Sequence, residues 1–263
     1  MALVVGTSGW QYASWRGRFY PKALPQRLWL QHYADRFACV EVNNTFYNLP
    51  AAQTFQRWGE ETPADFRFVL KLSRYLTHIR RLREPEDSVH LFLERAAPLS
   101  AKTGPLLLQL PPTMRCDIAR LDATLTCFPE GCRIAVEFRH ASWYTDSVAA
   151  CLRAHDAALC LTDRRGRPQQ PMWRTATWGF VRLHEGRATP HPCYGDGSLR
   201  SWVARIADLW SPDEEVYTFF NNDPQGCAVR DAVRFAGHAA RAGLRPTRVP
   251  RPDEAPVADD LVS

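Results

Sequence analysis

Several signatures that would name a chemistry at once are missing from this chain. Its cysteines, Cys39, Cys116, Cys127, Cys132, Cys151, Cys160, Cys193 and Cys227, include no C-x-x-C pair and no zinc or iron–sulfur spacing. Several lie inside apolar strand or helix patterns, so they read as reduced, mostly structural thiols in a cytoplasmic protein. No segment approaches the roughly 18 consecutive apolar residues of a membrane span. The start, MALVVGTSGW, has no basic stretch ahead of a long apolar one, so neither secretion nor membrane insertion is expected. No G-x-G-x-x-G follows the first apolar run, which argues against a dinucleotide fold. Neither H-E-x-x-H nor a flavin motif occurs, and Ser8 in G-T-S-G-W is not the G-x-S-x-G nucleophile elbow.

What remains is repetitive. Eight short apolar runs each stop at polar or charged residues: VVGTSG from Val4, CVEVN from Cys39, FRFVLK from Phe66, LLLQ from Leu106, RIAVEFR from Arg133, ALCLTD from Ala158, WGFVRLH from Trp178 and VYTFFNND from Val216. Each reads as a strand with its chemistry at the C-terminal end. Segments of helical period alternate with them, at residues 28–37, 53–61, 89–102, 118–128, 147–155, 199–210 and 228–242. Residues 164–177 are rich in Pro, Gln and Arg and read as a loop. The expected architecture is an α/β, TIM-like (β/α)8 barrel with one helix missing or degenerate between strands six and seven, and an open doubly wound sheet is the alternative. With 263 residues, 45% of them hydrophobic, one barrel domain accounts for residues 1–243. The Pro- and charge-rich stretch 244–263 is expected to be a mobile tail.

A barrel of this kind carries its site at the C-terminal ends of the strands. Side chains alternate between the interior and the helices along each strand. Val40 and Val42 therefore set Glu41 and Asn43 inward, and Ile134, Val136 and Phe138 set Glu137 and Arg139 inward. Phe180, Arg182 and His184 share the inner face of strand seven, and Lys71 and Gln109 join them. Such charges are costly to bury unless paired, so a structural network of Glu41 and Glu137 with Lys71, Arg139 and Arg182 is one reading. Cations outnumber carboxylates in this set, which leaves room for an anionic group such as a phosphate. The net charge of +5 is too small to point to nucleic acid by itself.

Loop residues complete the candidates. The run KLSRYLTHIRRLREPED carries Lys71, Arg74, His78, Arg80, Arg81 and Arg83 beside Tyr75, although such runs are commonly just solvated surface. Trp10, Tyr12, Trp15, Phe19, Tyr20, Tyr47, Trp143 and Tyr144 follow strand ends. Trp10, Tyr47 and Trp143 are the best placed of these to stack on a ring, the rest being expected to pack the loops. Glu41 and Glu137 could form a general acid and base pair, as in glycoside hydrolysis. A divalent metal held by Glu41, Glu137, Asp163, His184 and Asp223 is a further reading, without a supporting spacing.

The stretches GTSGWQYASWRGRFYP, YADRFACVEVNNTFYNLP, FRFVLKLSRYLTH, GPLLLQLPP, IAVEFRHASWY, FVRLH and YTFFNND, in this order, resemble the motifs of the YecE-like family, a bacterial domain of unknown function. The resemblance runs from about Gly6 to the helix after Asp223. It implies a TIM-barrel-like fold and no established activity. The motif positions able to serve a site are Thr7, Trp10, Glu41, Asn43, Thr45, Tyr47, Lys71, His78, Gln109, Glu137, Arg139, Trp143, Arg182, His184, Asn221, Asn222 and Asp223. One departure is Glu185 ahead of Gly186, where the family often reads R-L-H-G. The leading expectation is an enzyme, most readily a hydrolase, acting on a nucleotide, nucleic acid or sugar phosphate. Glu41, Glu137 and His184 would be its catalytic residues, with the cations holding the anion. A non-catalytic binder of nucleic acid or an anionic ligand, using the Arg80–Arg83 loop and Trp15, is the alternative, and a glycosidase is third. No cofactor and no protein partner is identifiable.

Overall fold

The computed structural model describes residues 1–254. Eight parallel strands form its centre: β1 (Ala2–Thr7), β2 (Cys39–Val42), β3 (Arg67–Lys71), β4 (Thr103–Gln109), β5 (Ile134–Glu137), β6 (Ala158–Arg164), β7 (Gly179–Leu183) and β8 (Glu215–Phe220). Hydrogen bonding runs β2-β3-β4-β5-β6-β7-β8-β1. Each expected strand is present, and the curled parallel sheet is that of a TIM-like barrel. Helices α1 (Trp29–Ala34), α2 (Asn44–Tyr47), α3 (Ala52–Glu60), α4 (Glu86–Ala96), α5 (Ile118–Thr126), α6 (Asp146–Ala154), α7 (Asp196–Leu209) and α8 (Cys227–Arg241) lie between or after the strands. No helix joins β6 to β7. A short return strand, Arg167–Pro168, folds back antiparallel on the end of β6 instead.

The helices begin where local chemistry provides for it. Asp117 accepts the Arg120 N–H at the start of α5 and Thr145 accepts the Val148 N–H at the start of α6, each satisfying an orphan donor of the first turn. Helix α3 buries Phe55 and Trp58 on one face, and α8 buries Val229, Ala232, Phe235 and Ala239. Strand parity divides the apolar residues into two layers. Val5, Val40, Val42, Leu70, Leu108, Val136, Leu161, Val181 and Phe220 pack outward against the helices. Val4, Cys39, Val69, Leu107, Ala135, Cys160, Phe180 and Phe219 fill the lower interior.

β1 and β2 share one bridge, Ser8 to Glu41, rather than a ladder. The buried Tyr33 hydroxyl stitches this seam: it accepts the Thr7 N–H at 3.1 Å and donates to the Cys39 carbonyl at 3.1 Å. Gly6 lies against the same carbonyl, where a β-carbon would stand 2.7 Å from the Cys39 oxygen. Only glycine lets the two backbones approach so closely.

Lower in the seam the structure departs from the expected tail. Arg245 and Pro246 pair in parallel with Ala2 and Leu3. The Thr247 N–H donates to the Leu3 carbonyl at 2.8 Å, its hydroxyl accepts the Val5 N–H at 3.1 Å, and the Arg248 carbonyl accepts the Ala38 N–H at 3.2 Å. Residues 245–248 thus fill the gap between β1 and β2, because an unpaired strand edge leaves backbone donors that need acceptors. The rest of the proposed tail, residues 255–263, lies outside the described residues. The cysteines also need a correction: Cys193 and Cys227 form a disulfide that ties the loop after β7 to the start of α8. Cysteine usage therefore gives no argument for a reducing compartment. Among the described residues no helix is long and apolar enough to cross a membrane.

Truncation after Gly243 removes these backbone-directed bonds from the seam. It is expected to cost about 2–4 kcal/mol, read as a lowered midpoint in urea unfolding followed by circular dichroism. An unchanged midpoint would show that the segment contributes nothing to closure.

Candidate functional site

Above the apolar lower interior, the inward residues become charged. Arg182, on β7 and only 2% exposed, donates from Nε to Glu41 Oε2 and from Nη2 to Glu41 Oε1, both at 2.7 Å. Its Nη1 donates to Glu137 Oε2 at 2.5 Å. One guanidinium therefore joins strands β2, β5 and β7 across the barrel. Gln109 Nε2 donates to Glu137 Oε1 at 2.9 Å, Arg139 Nε donates to the same oxygen at 2.5 Å, and Asn43 Nδ2 donates to Glu41 Oε1 at 3.1 Å. Burial alone would raise the pKa of Glu137, but Arg182 and Arg139 outweigh it and hold the carboxyl well below the usual range. Burial disfavours the Arg182 cation, and Glu41 and Glu137 reverse that, raising its pKa.

Lys71 is treated differently. Among the described residues it forms no ion pair, and its Nζ lies 4.2 Å from the centroid of the Phe46 ring. Burial, with Arg182 close by, lowers its pKa to about 8. With two carboxylates set against Arg182, Arg139 and Lys71, the belt carries one surplus positive charge at neutral pH.

His184, at the end of β7, accepts at Nδ1 from Asn221 Nδ2 at 2.9 Å, an arrangement that places its proton on Nε2. Nε2 is buried, has no hydrogen-bond partner among the described residues and stands 3.9 Å from Glu137 Oε1. Burial and Arg182 lower the imidazole to about 4, so it is neutral at pH 7. It lines a cavity of about 570 Å³ at the barrel mouth with Arg139, His140, Tyr144, Arg164 and Gln169. The strand carrying it is fixed by Asp163, whose carboxylate accepts the His184 N–H and Tyr194 hydroxyl, both at 2.6 Å, and the Gly166 N–H at 2.8 Å. Burial raises Asp163 to about 6.

The residues expected from strand parity thus converge: Glu41, Asn43, Lys71, Gln109, Glu137, Arg139, Arg182 and His184, joined by Asn221 from the motif positions. Others do not. Trp10 packs edge-on to Trp58 and is 5% exposed. Trp143 is sealed, stacked on Phe138 at 4.7 Å, with its indole N–H donating to the Met114 carbonyl. Neither offers a free face, because each ring fills space between loop and barrel. Trp15 is likewise buried, its N–H on the Asp223 carbonyl. Thr45 serves structure, donating to the Lys71 and Val42 carbonyls. Asn222 turns away to the Pro192 carbonyl and Asp231. Asp223 is held half-buried above the end of β8.

Tyr47 is 75% exposed, and His78 bonds Thr77 with its ring against Phe46. In the basic loop, Arg80 is paired with Glu84 and Leu82 is buried. The loop is therefore partly packed rather than a free cationic arm.

Glu41 is 0% exposed with both oxygens held by Arg182, so it anchors rather than faces the mouth. Because Arg182 occupies the space between Glu41 and Glu137, a glycosidic bond cannot lie between them. Glu41, Glu137, Asp163, His184 and Asp223 do not bring three ligand atoms together for a metal. Among the described residues that grouping occurs at Asp122, Cys151 and His155, on α5 and the end of α6. Arg164, Gln169 and His140 are mouth residues that strand parity did not name: Arg164 is the last residue of β6, and the other two lie in loops. The only signal was the RRGR run itself.

A parallel barrel with a charged belt beneath its C-terminal mouth is the class of protein this geometry defines. The chain belongs to the family described as "Protein of unknown function DUF72", which matches residues 4–255. It is similar to the UPF0759 protein YecE of Escherichia coli K12, 38% identical over 116 residues, 44% of this chain and 43% of that protein. The chain therefore spans less than half the length of that relative in the match. The UPF0759 protein YunF of Bacillus subtilis is 25% identical over 266 residues, covering 86% of this chain and 90% of that one. A DUF72 family protein from Thermotoga maritima superposes with a TM-score of 0.77 at 24% identity over 90% of this chain and 98% of its own. One from Enterococcus faecalis gives 0.76 at 21%, over 90% of this chain and 95% of its own. These structural likenesses bear on the fold alone.

Arg182→Met leaves the buried Glu41 without a cation and Glu137 with Arg139 alone. It is expected to destabilise by about 3–5 kcal/mol in urea unfolding at pH 7. The difference should shrink as pH falls below about 4 and the depressed Glu137 loses the stabilisation it contributes only while ionised. A pH-independent difference would mean that the belt is held together by packing instead.

Proposed function

We propose that this protein binds a phosphate-bearing ligand at the barrel mouth, with hydrolysis of a phosphoester as the reaction its residues could serve. The observation that carries the reading is Lys71, a desolvated cation with no described carboxylate to pair with, set in a belt that already neutralises its other charges. Burying an ammonium in this way costs stability, and an incoming anion would recover it.

Arg139, 43% exposed at its side chain, and Lys71 would hold the phosphate oxygens. The His184 ring lines the cavity, and its buried Nε2–H, without a hydrogen-bond partner among the described residues, would donate to a developing negative charge brought against it, as a neutral imidazole can. Glu137 would keep Arg139 in position rather than take a proton, since its own proton affinity is suppressed. Rotation of the Asn221 amide would move the ring proton to Nδ1 and free Nε2 to accept one from water. The Asn221–His184 pair is therefore where a hydrolytic step would begin.

Lys71→Met tests the reading through two signals that move in opposite directions. A lysine whose pKa falls from 10.5 to about 8 on folding penalises the fold while charged, and the penalty fades as pH rises from 8 to 10.5. The variant is expected to be more stable at pH 7 by about 1–3 kcal/mol and to lose this advantage at high pH. Titration calorimetry with inorganic phosphate and with thymidine monophosphate is expected to show at least a tenfold loss of affinity in the variant. Wild-type affinity should fall as pH rises through 8. Unchanged affinity in Lys71→Met would remove the mouth as the phosphate site. His184→Ala separates enzyme from binder: if turnover of a nitrophenyl phosphodiester is lost with phosphate affinity retained, the protein is a hydrolase, whereas no turnover in the wild type leaves it a binder.

A further inference from the structure

The loop that replaces the missing helix between β6 and β7 is a built element. Arg164 pairs with Arg167 and Asp163 with Pro168 across a two-residue turn. Its central residues, Arg165 and Gly166, both take positive φ, at 52° and 77°. That is the backbone of the tight hairpin turn whose first position favours Asn, Asp or Gly, and an arginine there is disfavoured. The turn is nonetheless held firmly, because the Gly166 N–H donates to both Asp163 Oδ2 and the Glu185 carbonyl. Arg187 Nε donates to the Arg165 carbonyl at 3.0 Å, joining the loop after β7 to the same hairpin.

The result is a rigid mount for cations. Arg164, Arg165, Arg167 and Arg187 are all exposed and with Gln169 line a surface hollow of about 450 Å³. The acidic group in reach is Glu185, 3.7 Å from Arg164, while Arg165 and Arg167 form no ion pair among the described residues. Four guanidiniums against one carboxylate leave a strong local surplus. Arg164 and Gln169 also line the mouth cavity, so the two hollows adjoin. Asp163 supports both, holding the hairpin through Gly166 and the His184 strand through its backbone N–H. Tyr144 lines the mouth beside half-buried Trp173, at a ring separation of 6.3 Å, and offers a face for a base.

We infer that the arginine hairpin and the mouth form one track for a single-stranded nucleic acid, with one phosphate in the mouth and its neighbours along Arg164, Arg165, Arg167 and Arg187. The inference rests on the phosphate reading of the mouth and extends it from a small ligand to a polymer. Rigid planar forks spaced along a hairpin suit successive phosphodiesters, and a lone mononucleotide would leave most of them unused. A single strand is specified because the belt lies inside the barrel rim, where a stacked duplex cannot lower a nucleotide.

The test compares a fluorescein-labelled twelve-nucleotide oligothymidylate, by fluorescence anisotropy, with thymidine monophosphate, by calorimetry, at 50 and 200 mM salt. The single strand is expected to bind at least fiftyfold more tightly than the mononucleotide and to weaken steeply with salt. The double variant Arg165→Glu/Arg167→Glu should lose at least thirtyfold for the oligonucleotide and under threefold for the mononucleotide. Arg95→Glu, on the exposed face of α4, controls for net charge and should bind like wild type. Equal affinity for the two ligands, or an oligonucleotide affinity untouched by the double variant, would overturn the track while leaving the phosphate site intact. Binding of a duplex of the same length as tightly as the single strand, or of phosphatidylserine vesicles in place of the oligonucleotide, would also overturn it. Hairpin-dependent oligonucleotide binding without any mononucleotide binding would refute the mouth and keep the hairpin surface.

Discussion

One guanidinium organises this molecule. Arg182 forks onto Glu41 and reaches Glu137, so a single planar cation spans strands from three parts of the barrel. Neither carboxylate would tolerate such burial alone, and Arg182 would not tolerate it without them. The other polar partners follow from this. Gln109 and Arg139 complete Glu137, and Asn43 completes Glu41. The lower interior can be apolar and closely filled because the charges stand together one layer above it.

That clamp also determines what is left over. With Arg182 and Arg139 committed to carboxylates, Lys71 has an aromatic ring for company, and His184 keeps a buried ring nitrogen that has no hydrogen-bond partner among the described residues. The belt therefore carries one positive charge that its two carboxylates do not balance, and the proposed anion site rests on that charge. The disulfide and the Asp163–Tyr194 contact lie behind this surface, on the helix side of β6 and β7, where they steady the loops that rim the mouth.

Much of the belt was legible from alternation. In VEVN and AVEFR, apolar residues at every second position leave the carboxylates no face but the interior, and Arg182 and His184 follow by the same parity. Alternation carries no information on partners, so it left open whether Glu41 and Glu137 are catalytic acids or belong to a paired network with Lys71, Arg139 and Arg182; they are the two arms of an Arg182 clamp, and Lys71 stands outside it. Nor does it reach past the strand ends. Trp10 and Trp143 looked like stacking residues because they sit near strand ends in the sequence, yet their rings complete the packing against Trp58 and Phe138. The stretch after Gly243 shows the same limit: its composition reads as a tail, but a seam between β1 and β2 stands open to accept it.

What the sequence by itself determined is the number and order of strands, the absence of one helix, the face on which each charged residue stands, and membership of a family through ordered motifs. These are local or periodic properties, encoded over a few neighbouring residues. Which cation meets which carboxylate, which one is left unpaired, and that an RRGR run stands at the rim of the mouth were decided only by closure of the barrel. Closure brings β2, β5 and β7 within hydrogen-bond distance across an interior that excludes water, and there a pairing more than a hundred residues apart in sequence, Glu41 with Arg182, becomes the strongest constraint in the fold.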